Sequence, residues 1–527
     1  MRARSDIDGK VTQVTAYTQI PYSVFGTELE GSLKNDFNQE VSEIMGFYDD
    51  YYLGAEFSTE GTSGDYVASC LAYKKAADLI NKEARFLFSI PPTFTINPDT
   101  SNMSDKEKEE NTKLNDFLSC ALKRLNINSK LVKAAKDCFI GKRVACMLNF
   151  SDTEGITATF LSSTEFLYRF KGDTLDRIVA IYILQDATNK SDQVIKKKIY
   201  EMGEDGYCYV EESLYSGTGE LKEEGRIEKT KTLFKRIPAV VILNDGLSND
   251  TRGCSDIADQ IDYEAYYSKL ANADMDSERK SMNPIRYAID ASQSSTKNLS
   301  SSPGSFWDIQ SEQNTSDPKT AQVGMLEAGM TYSDALKTTL DRIENTMYSS
   351  LEIPNINSEK LQGVITSGKT LKALYWSLIV RCNEKMLTWT PALEYIAEII
   401  IEGSKLYPKS ADVLMRYDQH NYEIPDIPYE IRVENNYPLP EDEQEEKAID
   451  LSEVAAQTMS RKSYMKKWRN LTDEEIQAEL KQIALERQIL EDAFTEPPME
   501  TNPVEPAPGN EPPAPNPDEP NPEEDEE

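Results

Sequence analysis

The sequence predicts an α+β protein, predominantly helical, and three observations carry that prediction. The first 60 residues show no clear period, and segments with helical apolar spacing then dominate from Asp65 to Phe139. A cluster of strand-like runs follows as far as Asn244, and long helical patterns fill most of the remainder. At 527 residues the chain exceeds one small core and should divide into roughly two to four folded units.

The elements follow in order. From Asp65 to Leu87, Val67, Leu71, Ala76, Ile80, Ala84 and Leu87 recur at helical spacing, and Pro91 and Pro92 stop the pattern. A second helical region covers Asp105 to Phe139. Strand-like runs then succeed one another: VACMLNF, ITATFLS, FLYRF, RIVAIYILQ, YCYVEE and PAVVILN. Asp256 to Lys280 reads as a long helix carrying Ile257, Ile261, Ala265, Leu270 and Met275. Tyr332 to Leu351 reads as another, with Leu336, Leu340, Ile343, Met347 and Leu351 on one stripe and Thr331 and Asp334 at capping-box spacing. Between them PIRYAID and SFWDIQ are strand candidates separated by a Ser-rich stretch, which makes a small inserted unit. Lys369 to Glu402 reads as one long helix that Pro391 should kink and Gly403 should close. YEIRVENN is extended, acidic helices follow from Glu441, and NLTDEEIQAELKQIALERQ opens the last folded element.

Composition excludes several function classes. The formal net charge is −34, and the tail from Glu496 onward has 11 prolines, 11 acids and no Lys or Arg, so it should stay disordered. The body keeps about −23, enough to repel nucleic acid rather than grip it. The seven cysteines show no C-x-x-C pair and His420 is the only histidine, so disulfide frameworks, zinc sites and His-dependent nucleophilic catalysis lack their parts. Free, mostly buried thiols are expected, with no cofactor and no metal. No run of 18 apolar residues and no cleavable signal occurs, so the expectation is a chain made in the cytoplasm with no membrane partner.

GVITSGKT, from Gly363 to Thr370, fits the phosphate-loop pattern G-x-x-x-x-G-K-[ST]. That loop needs a strand delivering the chain and a helix leading away, so that backbone N–H groups wrap the phosphates. What precedes Gly363 is a helix end, a proline and a polar loop. Lys369 therefore reads as a first-turn helix residue, with Ser367 or Gly368 near the N-cap. A P-loop ATPase remains a competing reading, as does a non-ring structural protein with helical stalks.

The order of these pieces resembles the portal proteins of tailed double-stranded DNA bacteriophages, in the group built on a helical stem with an inserted clip. The resemblance runs from about Met45 to Phe494. It rests on FYDDYYLGAEF, FSIPPTFTI, AKDCFIGKRVACMLNF, RIPAVVILNDGLSNDTRGCSDIADQIDYEAYYSKL, IENTMYSSLEIPNINSEKLQGVITSGKTLKALYWSLIVRCNEK and TDEEIQAELKQIALERQ. No piece is as specific as a metal motif; their order and spacing carry it.

The resemblance implies a wing over 1–249, stem helices over 250–280 and 330–353, and a clip over 281–329. It further implies a tunnel loop over 354–368, a long kinked helix over 369–403, a return to the wing over 404–440, crown helices over 441–495 and the tail over 496–527. It implies a dodecameric ring at one capsid vertex of the virion, serving DNA packaging and ejection. Implied partners are the terminase large subunit, head-completion or adaptor proteins, the major capsid and scaffold proteins, and duplex DNA held weakly and without sequence preference. On this basis Asn355, Asn357, Ser358, Lys360, Gln362 and Ser367 are tunnel-loop residues facing the channel, and Leu336, Leu340, Ile343 and Met347 pack between subunits. Arg461, Lys462, Lys466, Lys467 and Arg469 form a basic patch in the crown. Intra- or inter-subunit neutralisation is the preferred role of that patch, and contact with DNA the alternative. No residue is expected to be catalytic.

Overall fold

The computed structural model describes residues 3–5, 11–13, 32–57, 68–100, 103–171, 174–186, 194–216, 220–247, 250–282, 285–292, 309–311, 320–326, 331–356, 368–416, 424–439, 443–469 and 473–494. His420, most of SFWDIQ and the acidic tail lie outside them. The chain divides into two compact units, Met1–Pro440 and Glu441–Glu527.

The first unit begins with a short antiparallel pair, β1 (Ala3–Ser5) and β2 (Val11–Gln13), then α1 (Ser32–Leu53), α2 (Lys75–Phe88) and β3 (Thr93–Ile96). The region expected as one helical stretch is two helices, α3 (Asp105–Arg124) and α4 (Ile127–Gly141), parted at Asn126, whose backbone is left-handed. Ser104 caps α3 in a complete capping box with Glu107.

Next come β4 (Arg143–Ser151), β5 (Gly155–Ser162), β6 (Phe166–Lys171), β7 (Thr174–Asp186), β8 (Val194–Met202), β9 (Cys208–Ser216), β10 (Leu221–Lys231) and β11 (Ala239–Leu243). They form a three-stranded sheet, β11-β4-β5, and a five-stranded meander, β10-β9-β8-β7-β6, both antiparallel. All six strand-like runs of the sequence appear. Strands β8 and β10 carry runs of charge that hide their period, and cross-strand ion pairs satisfy them: Lys196 and Lys198 meet Glu212 at 2.6 and 3.0 Å, and Lys229 meets Glu201 at 2.7 Å.

Gly253, at φ 74°, crosses the Lys142 carbonyl so closely that a Cβ would lie 2.3 Å from its oxygen, and the chain then enters α5 (Ala258–Met282). An antiparallel ribbon follows, β12 (Ile285–Ile289) with β13 (Gln322–Leu326); most of SFWDIQ lies outside the described residues, and just past its end Ser311 bridges Ala291 in antiparallel fashion. Helix α6 (Ser333–Ser350) takes Tyr332 as its N-cap with no side-chain cap bond, so the expected Thr331–Asp334 capping box does not form.

The pattern expected as one helix from Lys369 is α7 (Gly368–Leu374) followed by α8 (Trp376–Leu406), which continues through Pro391. Gly403 does not close α8. It lies inside the helix, where Phe150 packs against it so closely that a Cβ would meet the ring at 2.2 Å. Helix α9 (Pro408–Met415) and β14 (Ile431–Glu434), which pairs with β3, complete the unit. One contiguous core joins α2, α4, β4 and the second half of α8, where Leu393, Ile396, Ala397, Ile399, Ile400 and Ile401 are all buried.

The second unit holds α10 (Glu443–Ala455), α11 (Arg461–Arg469) and α12 (Asp473–Phe494). Met465 and Ile476 are its buried apolar residues among those described. All seven cysteines are free, and four of them (Cys138, Cys146, Cys208 and Cys382) are buried.

Candidate functional site

The site that matters for a channel reading is built from α5, α6, the turn after α6, and α8. Helix α5 reads E-x-x-x-S-x-x-x-N-x-x-x-D from Glu264, which places Glu264, Ser268, Asn272 and Asp276 along one face. Those four side chains accept hydrogen bonds from the chain running beside them, three from an extended stretch and the fourth from the first turn of α2. Asp276 accepts from Ser69 N at 3.0 Å, Asn272 from Leu71 N at 2.8 Å, Ser268 from Tyr73 N at 3.4 Å and Glu264 from Ala76 N at 2.7 Å. Four helical residues advance about 6.0 Å and two extended residues about 6.6 Å, so the helix serves as a template for a strand-like partner.

This ladder corrects the expectation of a helix from Asp65: residues 68–74 are not helical, and α2 starts at Lys75. Lys74, the N-cap of α2, provides no side-chain cap, and Glu264 supplies that bond from another helix while also accepting from Ala55 N at 3.0 Å. Burial outweighs these two donors and raises the Glu264 pKa.

Helix α6 lies against α5 and α2. Gln260 Nε2 donates to Ser350 Oγ at 2.8 Å, Lys75 pairs with Glu344 at 2.9 Å, and Lys82 Nζ donates to the Tyr348 hydroxyl at 2.7 Å. Of the expected inter-subunit stripe, Met347 is buried in the protomer's own core, while Leu336, Leu340 and Ile343 are half-buried. After α6 the chain turns through Glu352 at φ 55°, and Ile353 N donates to Tyr348 O at 2.9 Å. Asn355 Nδ2 donates to Asn345 Oδ1 at 2.9 Å, which ties that tunnel-loop candidate to α6. Asn357, Ser358, Lys360, Gln362 and Ser367 lie outside the described residues, as does the front of GVITSGKT. No strand occurs among described residues 331–356, and α7 begins at Gly368, so Lys369 stands in the first turn of a seven-residue helix.

The first half of α8 is held by a buried charge hub. Arg381 Nε donates to Glu83 of α2 at 2.7 Å, and its Nη2 donates to Asp256, just before α5, at 2.8 Å. One turn later, Lys385 Nζ donates to Asp256 and to the Asn244 amide oxygen, each at 2.7 Å, and lies 3.5 Å from Glu83. Lys385 also sits 4.2 Å from the centre of the Phe139 ring. Burial alone would lower the Lys385 pKa, but Asp256 and Glu83 outweigh it and the pKa is raised. Burial, then the like charge of Asp256, raises that of Glu83, whose Oε2 is buried without a hydrogen-bond partner. Two cations and two carboxylates thus tie α2, the end of β11, the entry to α5 and α8 together. Sequence reasoning missed the hub, since its acids lie 125 or more residues from its cations.

In the second unit the basic stretch is α11. Lys467 pairs with Asp450 at 2.8 Å and Arg469 with Glu479 at 3.1 Å, and the Trp468 indole donates to Asp450 at 2.7 Å. Acidic neighbours within the unit therefore meet part of the patch. Arg461, Lys462 and Lys466 are exposed.

A family model described as phage portal protein, SPP1 Gp6-like, matches residues 31–489. No curated protein matches the sequence. Among solved structures, the neck of an empty GTA particle computed with C6 symmetry is similar at 10% identity, 75% of this chain, 88% of that chain and a TM-score of 0.36. The virion of a native gene transfer agent (GTA) particle is similar at 11%, 76%, 90% and 0.35, and the neck of a native GTA particle computed with C12 symmetry at 9%, 74%, 88% and 0.37. Likeness at this level carries no argument of its own. The family is structural rather than enzymatic. With its family match running from the first long helix almost to the end of the last, the chain belongs to the SPP1 Gp6-like phage portal proteins.

Proposed function

We propose that copies of this chain form a ring, of twelve in the virion, at one capsid vertex, and that DNA enters during packaging and leaves during ejection through its central channel. The family match through residues 31–489 carries this reading. In it, α5 and α6 are the stem, the β12–β13 ribbon belongs to the clip, residues 354–368 are the tunnel loop and α10–α12 form the crown. The clip docks the terminase large subunit and then the head-completion proteins, and the outer faces of the ring meet capsid and scaffold proteins. A conduit must touch duplex without holding it, because neutralising many phosphates would raise affinity and slow movement. A subunit of net charge −34 repels the duplex from every side, and the short polar side chains assigned to the tunnel loop leave only weak, exchangeable contacts.

Images of the purified full-length protein test the assembly: rings with a central hole are expected, and compact monomers alone would overturn it. Shortening 357–367 tests the loop. Rings should still form while packaging is blocked, and normal packaging after the deletion would refute the loop's role.

A further inference from the structure

Helix α8 turns an apolar stripe to solvent. Trp376 is 66% exposed, Val380 39% and Leu387 75%, and with Asn383, whose side-chain oxygen accepts from the Tyr437 hydroxyl at 2.6 Å, they step by four, three and four residues along one face; Leu374, just ahead of the helix, is 40% exposed. The opposite face is fully engaged, with Leu378, Cys382, Met386 and Trp389 buried beside the charge hub. The stripe also opens onto a groove of about 580 Å³ between α8 and the end of α6, lined by Asn345, Ser349, Asn355, Leu374, Trp376 and Val380.

We propose that this stripe and groove receive a second copy of this chain, as one half of the contact that closes the ring; the inference rests on the ring reading above. Three observations choose that occupant. Alternating three- and four-residue spacing is the spacing with which one helix packs along another, and this chain is rich in long helices. The surroundings carry both signs of charge, with Arg342 and Lys372 exposed alongside Glu352 and Glu384, which suits an acidic subunit that also displays cations. Duplex DNA fits poorly, because it needs a row of cations where the stripe is apolar. An exposed Trp beside aliphatic side chains is also the composition of interface hot spots, and a ring needs a heterologous contact of this kind on every subunit.

The test uses the full-length chain. The variant carrying Trp376→Ser and Leu387→Ser alters exposed side chains and should unfold at the same denaturant concentration as the unmodified protein. Native mass measurement should show the concentration needed for ring formation rising at least about tenfold, the scale of losing one hot-spot contact. Separately, a Leu387→Cys protein is treated with a maleimide and labelling at that peptide is followed by mass spectrometry. It should label in free subunits and at least about tenfold more slowly in rings. Rings of the double variant at unchanged concentration would overturn the proposal. So would equal labelling in rings and subunits, protection already present in free subunits because residues 357–367 cover the stripe, or protection of free subunits by added duplex. Absence of rings from the unmodified chain would overturn the ring reading and this contact together.

Discussion

Replacing Lys385 by Met tests the hub most directly. The ammonium lies 2.7 Å from both Asp256 and Asn244 and 3.5 Å from Glu83, and Lys385 is 5% exposed. Met conserves much of the volume and removes the charge, which leaves two buried carboxylates facing Arg381 alone. Breaking a buried pair in this way costs about 3–5 kcal/mol. Glu83 can relieve part of that cost by taking a proton, and its pKa is already raised by burial and by Asp256. The variant's deficit should therefore grow as pH rises: with the folded-state pKa of Glu83 pushed up further, the unfolded chain releases its proton first. Adding Glu83→Gln restores the charge balance, and the double variant should be more stable than the sum of the single losses by about 1–3 kcal/mol. Guanidinium denaturation of the full-length protein, followed by circular dichroism at two pH values, measures all of this. A single-variant loss below about 1 kcal/mol, strict additivity, or a deficit that does not change with pH would refute the reasoning.

Two further outcomes follow from the geometry. Asn272→Ala removes the side chain that accepts from Leu71 N and donates to Leu71 O, each at 2.8 Å; the expected loss is about 1–3 kcal/mol, with faster amide hydrogen exchange confined to residues 68–74. The Asp137 carboxyl is pushed up to about 6 by burial, against the Tyr48 hydroxyl that donates to it at 3.1 Å. Its unfolded counterpart ionises first, so stability should fall as pH rises from about 4 to 6, by at most about 3 kcal/mol, and Asp137→Asn should flatten that slope.

The sequence disclosed the order of elements because apolar periodicity is local. All six strand-like runs became strands, and the helices around Ile261 and Ile343 lie where their stripes placed them. Strands β8 and β10 were concealed because Lys196 and Lys198 find their acid, Glu212, on the neighbouring β9, while Lys229 reaches across β9 to Glu201 of β8. The start of α2 was misjudged for a related reason. Val67 and Leu71 continue the helical spacing, yet side chains about 200 residues away offer residues 69–73 better hydrogen bonds than a helix turn would. The ladder did leave a trace, since a polar residue at every fourth position from Glu264 to Asp276 is unusual on a buried helix face. The hub left none, because Arg381 and Lys385 look like ordinary charges until the fold brings Glu83 and Asp256 to them.

The four-rung ladder on α5 also acts as a phase lock. Removing one residue between Glu264 and Asp276 would swing every later rung by about 100° and strand the amides it serves, so that length is fixed. Among the described residues Asp276 is the last of the four rungs, and Arg279 just beyond it donates to Ser69 Oγ at 3.5 Å. Whole turns added after Asp276 would leave the phase of these four rungs unchanged.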